Sequence, residues 1–164
     1  MTGLSGTTGY HGRLRGEGLR IAVVTSRFND LVTDRLLAGC LDGLTRLGVD
    51  PASVTTASVP GALELPLAAQ RLAGSGDHDA VVCLGAVIRG ATDHHVHVGG
   101  QCAAGLARIQ LDTGIPVVFG VLTTDSLEQA LERAGGKSAN KGFEAAATAV
   151  EMVDLLRQLP KSGG

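Results

Sequence analysis

Short apolar runs rich in β-branched residues recur along this chain, and between them leucine and alanine fall at helical spacing. Ile21 to Thr25, Val54 to Val59, Ala80 to Leu84 and Ile115 to Val121 read as strands, the first and third of them buried. After the first of these, Leu36, Leu37, Cys40, Leu41, Leu44 and Leu47 recur on one helical face, and Gly48 stops the pattern. Ala62 to Ala73 reads as a helix in which Pro66 is tolerated only in the first turn. Asp93 to Asp112, Ser126 to Ala134 and Phe143 to Leu159 read as further helices, and Tyr10 to Arg15 as a short edge strand. Strands alternating with helices demand a parallel sheet covered on both faces.

The expected fold class is therefore α/β, a flavodoxin-like three-layer sandwich with a four-stranded parallel sheet and a short N-terminal edge strand. At 164 residues the chain suits one domain with a full core. That domain is expected over residues 10–159, between a flexible tail at 1–9, polar and rich in Gly, Thr and Ser, and a second at 160–164. Apolar residues make up 44% of the chain, which suggests burial beyond a monomer's core, in subunit contacts. A net charge of −2 without a basic run argues against nucleic acid or a membrane surface as partner. No apolar run approaches the roughly 20 residues of a membrane span, and no signal-peptide pattern opens the chain, so cytoplasm is expected. Cys40, Cys83 and Cys102 are odd in number and scattered in apolar surroundings. They read as small buried hydrophobes in a reducing compartment, not as a disulfide or metal set.

In open parallel sheets ligands sit beyond the carboxyl ends of the strands, so those ends are where function is expected. The third strand runs into Gly85-Ala-Val-Ile-Arg-Gly-Ala-Thr-Asp-His94, with glycines between strand and helix and His94 in the helix's first turn. Such a turn brings backbone N–H groups close to an anion, with an imidazole beside it. The spacing fits a phosphate-binding P-loop at Gly85, Gly90 and Thr92, but Ala91 stands where that motif needs lysine, which argues against nucleotide triphosphate hydrolysis. A strand–helix turn that needs glycine only for tightness remains the plain alternative. After the first strand comes Phe28, an aromatic in a chain with no Trp, one Tyr and three Phe; it either plugs the core or offers a face for a planar ring. After the second comes Glu64, which either complements a helix dipole or grips the hydroxyls of a polyol. Phe119 and Gly120 are expected after the fourth strand, with Arg133 and the 137–141 loop beyond.

These segments together resemble the lumazine synthase family. The matching motifs are Arg27-Phe28-Asn29, Val59-Pro60-Gly61-Ala62-x-Glu64-Leu65-Pro66 and Gly85-x-Val87-Ile88-Arg89-Gly90-x-Thr92-x-His94. Further on come Phe119-Gly120-Val121-Leu122-Thr123, Glu132-Arg133-Ala134-Gly135 and Asn140-Lys141-Gly142. The resemblance spans roughly residues 10–158 in the family's order. It implies joining 5-amino-6-ribitylaminouracil to 3,4-dihydroxy-2-butanone 4-phosphate, with no metal and no cofactor. It further implies that Phe28 stacks on the pyrimidine, that Asn29 and Glu64 hold the ribityl chain, and that Ala62, Leu63, Ala86, Val87 and Ile88 line the site. Ala91, Thr92 and Arg133 are to hold the phosphate, Lys141 to contact the pyrimidine and His94 to transfer protons. A homopentamer with shared sites is implied, Phe119, Arg133 and Lys141 coming from a neighbour, with a shell of twelve pentamers as the larger assembly known in the family.

The physical logic agrees with those roles. Positioning two reactants is the largest gain available to a condensation. A helix N-terminus and an arginine fork suit a phosphate that arrives as substrate and leaves as product, and the same helix end disfavours imidazolium at His94. Two departures stand out: Val96 occupies a position usually acidic in the family, and Leu63 one usually aromatic. His94 and His97 share a helix face, but only Asp93 offers a nearby carboxylate, so the extra histidines read as surface or interface residues rather than metal ligands. A non-catalytic module, a flavin-like binder or shell subunit, is the rival from another class.

Overall fold

The computed structural model describes residues 5–135 and 139–163. Four parallel strands form one sheet: β1 (Ile21–Ser26), β2 (Val54–Val59), β3 (Ala80–Ile88) and β4 (Val117–Thr124), in the order β2-β1-β3-β4. The helices are α1 (Asp30–Arg46), α2 (Leu65–Gly74), α3 (His94–Thr113), α4 (Leu127–Arg133) and α5 (Lys141–Gln158). The expected α/β layering with four parallel strands is borne out.

The two faces of the sheet carry two cores, because successive residues of a strand point to opposite sides. Ile21 and Val23 of β1 join Val82 and Leu84 of β3 on the face covered by α1, α4 and α5. Ala22 and Val24 join Val81 and Cys83 on the face covered by α2 and α3. That double burial is why β1 and β3 read as unbroken apolar runs. Helix ends are set locally. Gly114 takes a left-handed φ of 74° after α3, and Gly48 one of 98° just beyond α1.

Most element ends fall within two residues of the sequence reading, β4 starting at Val117 rather than Ile115 and α5 at Lys141 rather than Phe143, and three differ in ways that bear on the site. β3 does not stop at Leu84; its pairing with β4 runs on to Ile88 opposite Thr124, with Gly85 buried inside the strand. A Cβ at Gly85 would stand 2.9 Å from Ser26 Oγ and 3.4 Å from Leu65 Cδ1, so the glycine serves close packing and not a loop. β4 likewise extends to Thr124, which places Phe119 and Gly120 in mid-strand. The helix expected from Ala62 opens as a tight 3-10 turn at Ala62–Glu64, and Pro66 then falls in the first turn of α2.

Tyr10 to Arg15 adds no strand to this sheet. It lies along the C-terminal half of α5, where Arg13 N donates to Asp154 Oδ2 at 2.8 Å and Gln158 Nε2 donates to the His11 carbonyl at 2.6 Å. Gly12 packs so closely on the Glu151 carbonyl that no side chain fits there. Those side-chain partners replace the ladder a strand would need. Residues 1–4 of the expected N-terminal tail and 164 of the C-terminal one lie outside the described residues; 5–9 and 160–163 carry no helix or strand. No helix among the described residues is long and apolar enough to cross a membrane.

Candidate active site

The C-terminal ends of β1, β2 and β3 converge around Phe28. Its backbone N–H donates to the Pro60 carbonyl at 3.1 Å, while the preceding Arg27 N–H donates to Val59 at 2.8 Å. The following residue, Asn29, adopts a left-handed backbone (φ 64°, ψ 49°) and its Nδ2 donates to the Ala86 carbonyl at 2.9 Å. Asn29 therefore ties the end of β1 to β3 as α1 begins. Held on both sides, the Phe28 ring is 71% exposed, far too open to be a core plug. Its ring face is free for another planar group.

Beside it lies a cleft of about 430 Å³. Phe28, Asn29, Ala62, Leu63, Glu64, Ala86, Val87, Ile88, Thr92 and His94 all line it, so one hollow gathers most of the residues expected to meet substrate. Its walls are mainly the apolar side chains of the β3 end and the Gly61–Glu64 turn. Glu64 is exposed at the start of α2, with Oε2 about 3.2 Å from where a Gly61 side chain would begin. The loop from Arg89 to Asp93 closes one end. Arg89 N donates to the Thr124 carbonyl at 2.9 Å, and its guanidinium pairs loosely with Asp125 at 3.9 Å. Ala91 is exposed in that loop, between the lining residues Gly90 and Thr92. α3 then starts at His94 without a side-chain cap from Asp93; the His94 N–H donates weakly to Thr92 Oγ1 at 3.4 Å and the Val96 N–H to the Asp93 carbonyl at 3.0 Å, so the positive end of the helix faces this loop.

Among the described residues no lysine or arginine lines this cleft. Phe119 and Lys141 instead line a separate groove of about 470 Å³ between α3 and α5, along the free edge of β4. Arg133 is exposed at the end of α4 and lines neither hollow. Within one chain the expected site is thus divided: the ring face, carboxylate, imidazole and anion cradle stand together, and the cations stand apart. Residues 137 and 138 of the loop expected at 137–141 lie outside the described residues.

Four residues that line the cleft were not among the expected site residues: Gly61 and Gly90, which stood only in the motifs, and His95 and Val98. Val98 follows His94 by one helical turn, so extending the helical period from His94 would have found it. His95 Nδ1 sits 3.4 Å from the Thr92 carbonyl, which draws its ring toward the loop. His97 and Val96 are exposed and do not line the cleft. Among the described residues no three His, Cys, Asp or Glu side chains come together as a metal would need. All three cysteines are free and buried. Burial pushes the Cys40 thiol up to about 12 and Cys102 to about 11. Cys83 is raised further still, by burial first and by neighbouring Cys102 second.

The molecule is thus a parallel α/β protein with a ligand cleft at the carboxyl edge of its sheet, the architecture of an α/β enzyme that works on small molecules. Comparison with known proteins makes this specific. Residues 18–157 match the 6,7-dimethyl-8-ribityllumazine synthase family. A 6,7-dimethyl-8-ribityllumazine synthase of Syntrophus aciditrophicus (strain SB) is 55% identical over 148 residues, covering 90% of this chain and 96% of the relative. The chain belongs to the 6,7-dimethyl-8-ribityllumazine synthase family.

Proposed function

We propose that the chain is a transferase that condenses 5-amino-6-(D-ribitylamino)uracil with 3,4-dihydroxy-2-butanone 4-phosphate. The products are 6,7-dimethyl-8-ribityllumazine, phosphate and water, a step of riboflavin biosynthesis. The cleft around Phe28 carries this reading, because it supplies in one place what such substrates need. The exposed Phe28 ring stacks on the pyrimidine, and the backbone of Ala86 to Ile88 runs along its edge. The Glu64 carboxylate accepts hydrogen bonds from ribityl hydroxyls. Asn29, whose amide nitrogen already serves Ala86, has its carboxamide oxygen left for the same chain. Ala91, Thr92 and the N-terminal end of α3 receive the phosphate.

The chemistry then runs from geometry. An amine of the pyrimidine attacks the ketone carbonyl and water leaves, giving an imine. Loss of the C3 proton expels phosphate from C4, the resulting enol becomes a ketone at C3, and the second amine closes the ring on that carbonyl with loss of a second water. Each step moves a proton, and His94, beside the phosphate cradle and facing the cleft, carries them. The dianion needs a cation, and no described residue lining the cleft carries one. Arg133 provides it from a neighbouring copy, with Lys141 and Phe119 from the same neighbour, so the unit of function is a homopentamer with sites shared between subunits. Twelve such pentamers closing into a shell is the larger assembly we propose. Three free buried thiols suit a reducing compartment, and cytoplasm is the proposed location.

Purified protein mixed with both substrates should develop lumazine fluorescence together with equimolar phosphate. Binding of the ribitylaminouracil without turnover, even at high enzyme concentration, would favour a non-catalytic binder instead.

A further inference from the structure

Asn140 stands just before α5 and touches three separate pieces of chain. Its carboxamide oxygen accepts from Gly142 N at 2.7 Å and Phe143 N at 3.1 Å, capping the helix. Its Nδ2 donates to the Arg35 carbonyl in α1 at 3.0 Å and to the Ala134 carbonyl at 3.1 Å. The main chains of Asn140 and Ala134 also form an antiparallel bridge. Both acceptor sites and both hydrogens of the carboxamide are therefore engaged.

A helix cap alone does not need this. The oxygen suffices for that, and Ser or Asp supplies one as well as Asn does. The two donations from nitrogen reach instead to α1 and to the residue after Arg133. Space is kept for them: a Cβ at Gly39 in α1 would collide with the Asn140 carboxamide. Arg133 is the last residue of α4 and Lys141 the first of α5, so both cations adjoin the junction that this side chain closes.

We propose that Asn140 is a positioning residue, whose amide nitrogen fixes Arg133 and Lys141 relative to each other and to α1 so that they meet substrate as a set. The proposal rests on the reading that Arg133 holds the phosphate and Lys141 contacts the pyrimidine.

Asn140→Ser separates the two jobs, since it keeps an oxygen cap and removes both donations. It should raise KM for the phosphate-bearing substrate by about tenfold, the scale of two lost hydrogen bonds and a misplaced cation, with kcat changed much less. In an Arg133→Ala background the same substitution should add almost nothing to KM, because the group it positions is gone. Asn140→Asp keeps the side-chain volume and the cap but turns an oxygen toward the Arg35 and Ala134 carbonyls. It should give at least the same rise, and it carries the test if the serine variant does not fold. Effects that multiply in the double variant would mark a general structural role and overturn the proposal. So would an unchanged KM in Asn140→Ser when Arg133→Ala raises it, or loss of folding in both variants. An unchanged KM in Arg133→Ala itself removes the underlying reading, and this inference with it.

Discussion

Asn29 is the only described residue other than glycine with a positive φ, and it lies between the ring-bearing Phe28 and α1. A left-handed backbone costs most side chains about 1–2 kcal/mol, and asparagine least among them. Asn29→Gly should lose the bond to Ala86 yet keep the backbone, whereas Asn29→Ala loses both. Denaturant unfolding should therefore rank wild type above N29G and N29G above N29A, the last two about 1 kcal/mol apart. Equal stabilities would show that the left-handed turn is not strained. From sequence, Asn29 was assigned to substrate by resemblance alone. Its bond across to β3 could not be read, because nothing local says which strand lies beside the end of β1. His94 is the other residue to test here. His94→Ala should bind both substrates and lower kcat by roughly 10²–10⁴-fold without abolishing turnover, since water can carry the protons. Wild-type kcat in a variant that still binds would end the proton-transfer role.

At the scale of elements, the crossing of α1 and α5 shows how closely backbone sets geometry. A Cβ at Gly142 would run into the Leu36 carbonyl, and one at Gly43 would stand 3.1 Å from both Phe143 and Ala146. Gly142→Ala has main chain on the far side, which cannot swing away, so it should destabilise by about 1–3 kcal/mol, measured by chemical denaturation. Gly43→Ala faces side chains that can shift, and should cost less. β1, β3 and most of β4 are legible because their residues are buried on both faces and leave an apolar run, whereas β2, an edge strand with Thr55, Thr56 and Ser58 exposed, is legible from its β-branched residues alone. What misled was the carboxyl ends of β3 and β4. There Gly85, required by close packing, interrupts the apolar run of β3 before Ala86, Val87 and Ile88, and Thr123 and Thr124 end β4. Tyr10 to Arg15 failed for the opposite reason. It is short enough for an edge strand, but its backbone groups find partners in Asp154 and Gln158 rather than in a ladder.

For the whole molecule, the division between the cleft and the two exposed cations predicts complementation. A Phe28→Ala protein and an Arg133→Ala protein, mixed under conditions that let subunits exchange, should recover activity at interfaces where one copy supplies each intact residue. No recovery despite verified exchange would place the site within one chain. The buried thiols give a second global test. Unfolded thiols ionise near pH 8.5, while folding holds Cys40 and Cys102 protonated to about 12 and about 11. Above pH 9 the folded chain thus keeps protons that the unfolded chain has lost, and stability must fall as pH rises toward those values. Each thiol takes about 1.4 kcal/mol per pH unit over that range, so the denaturation midpoint at pH 10 should lie below that at pH 8. A midpoint that does not fall would mean that the thiols are less sealed than their burial implies. The same sealing makes the native surface chemically blank toward maleimides. One cysteine introduced at an exposed helix position such as Glu128 would be the sole attachment point for a dye or spin label, with no wild-type thiol to remove first.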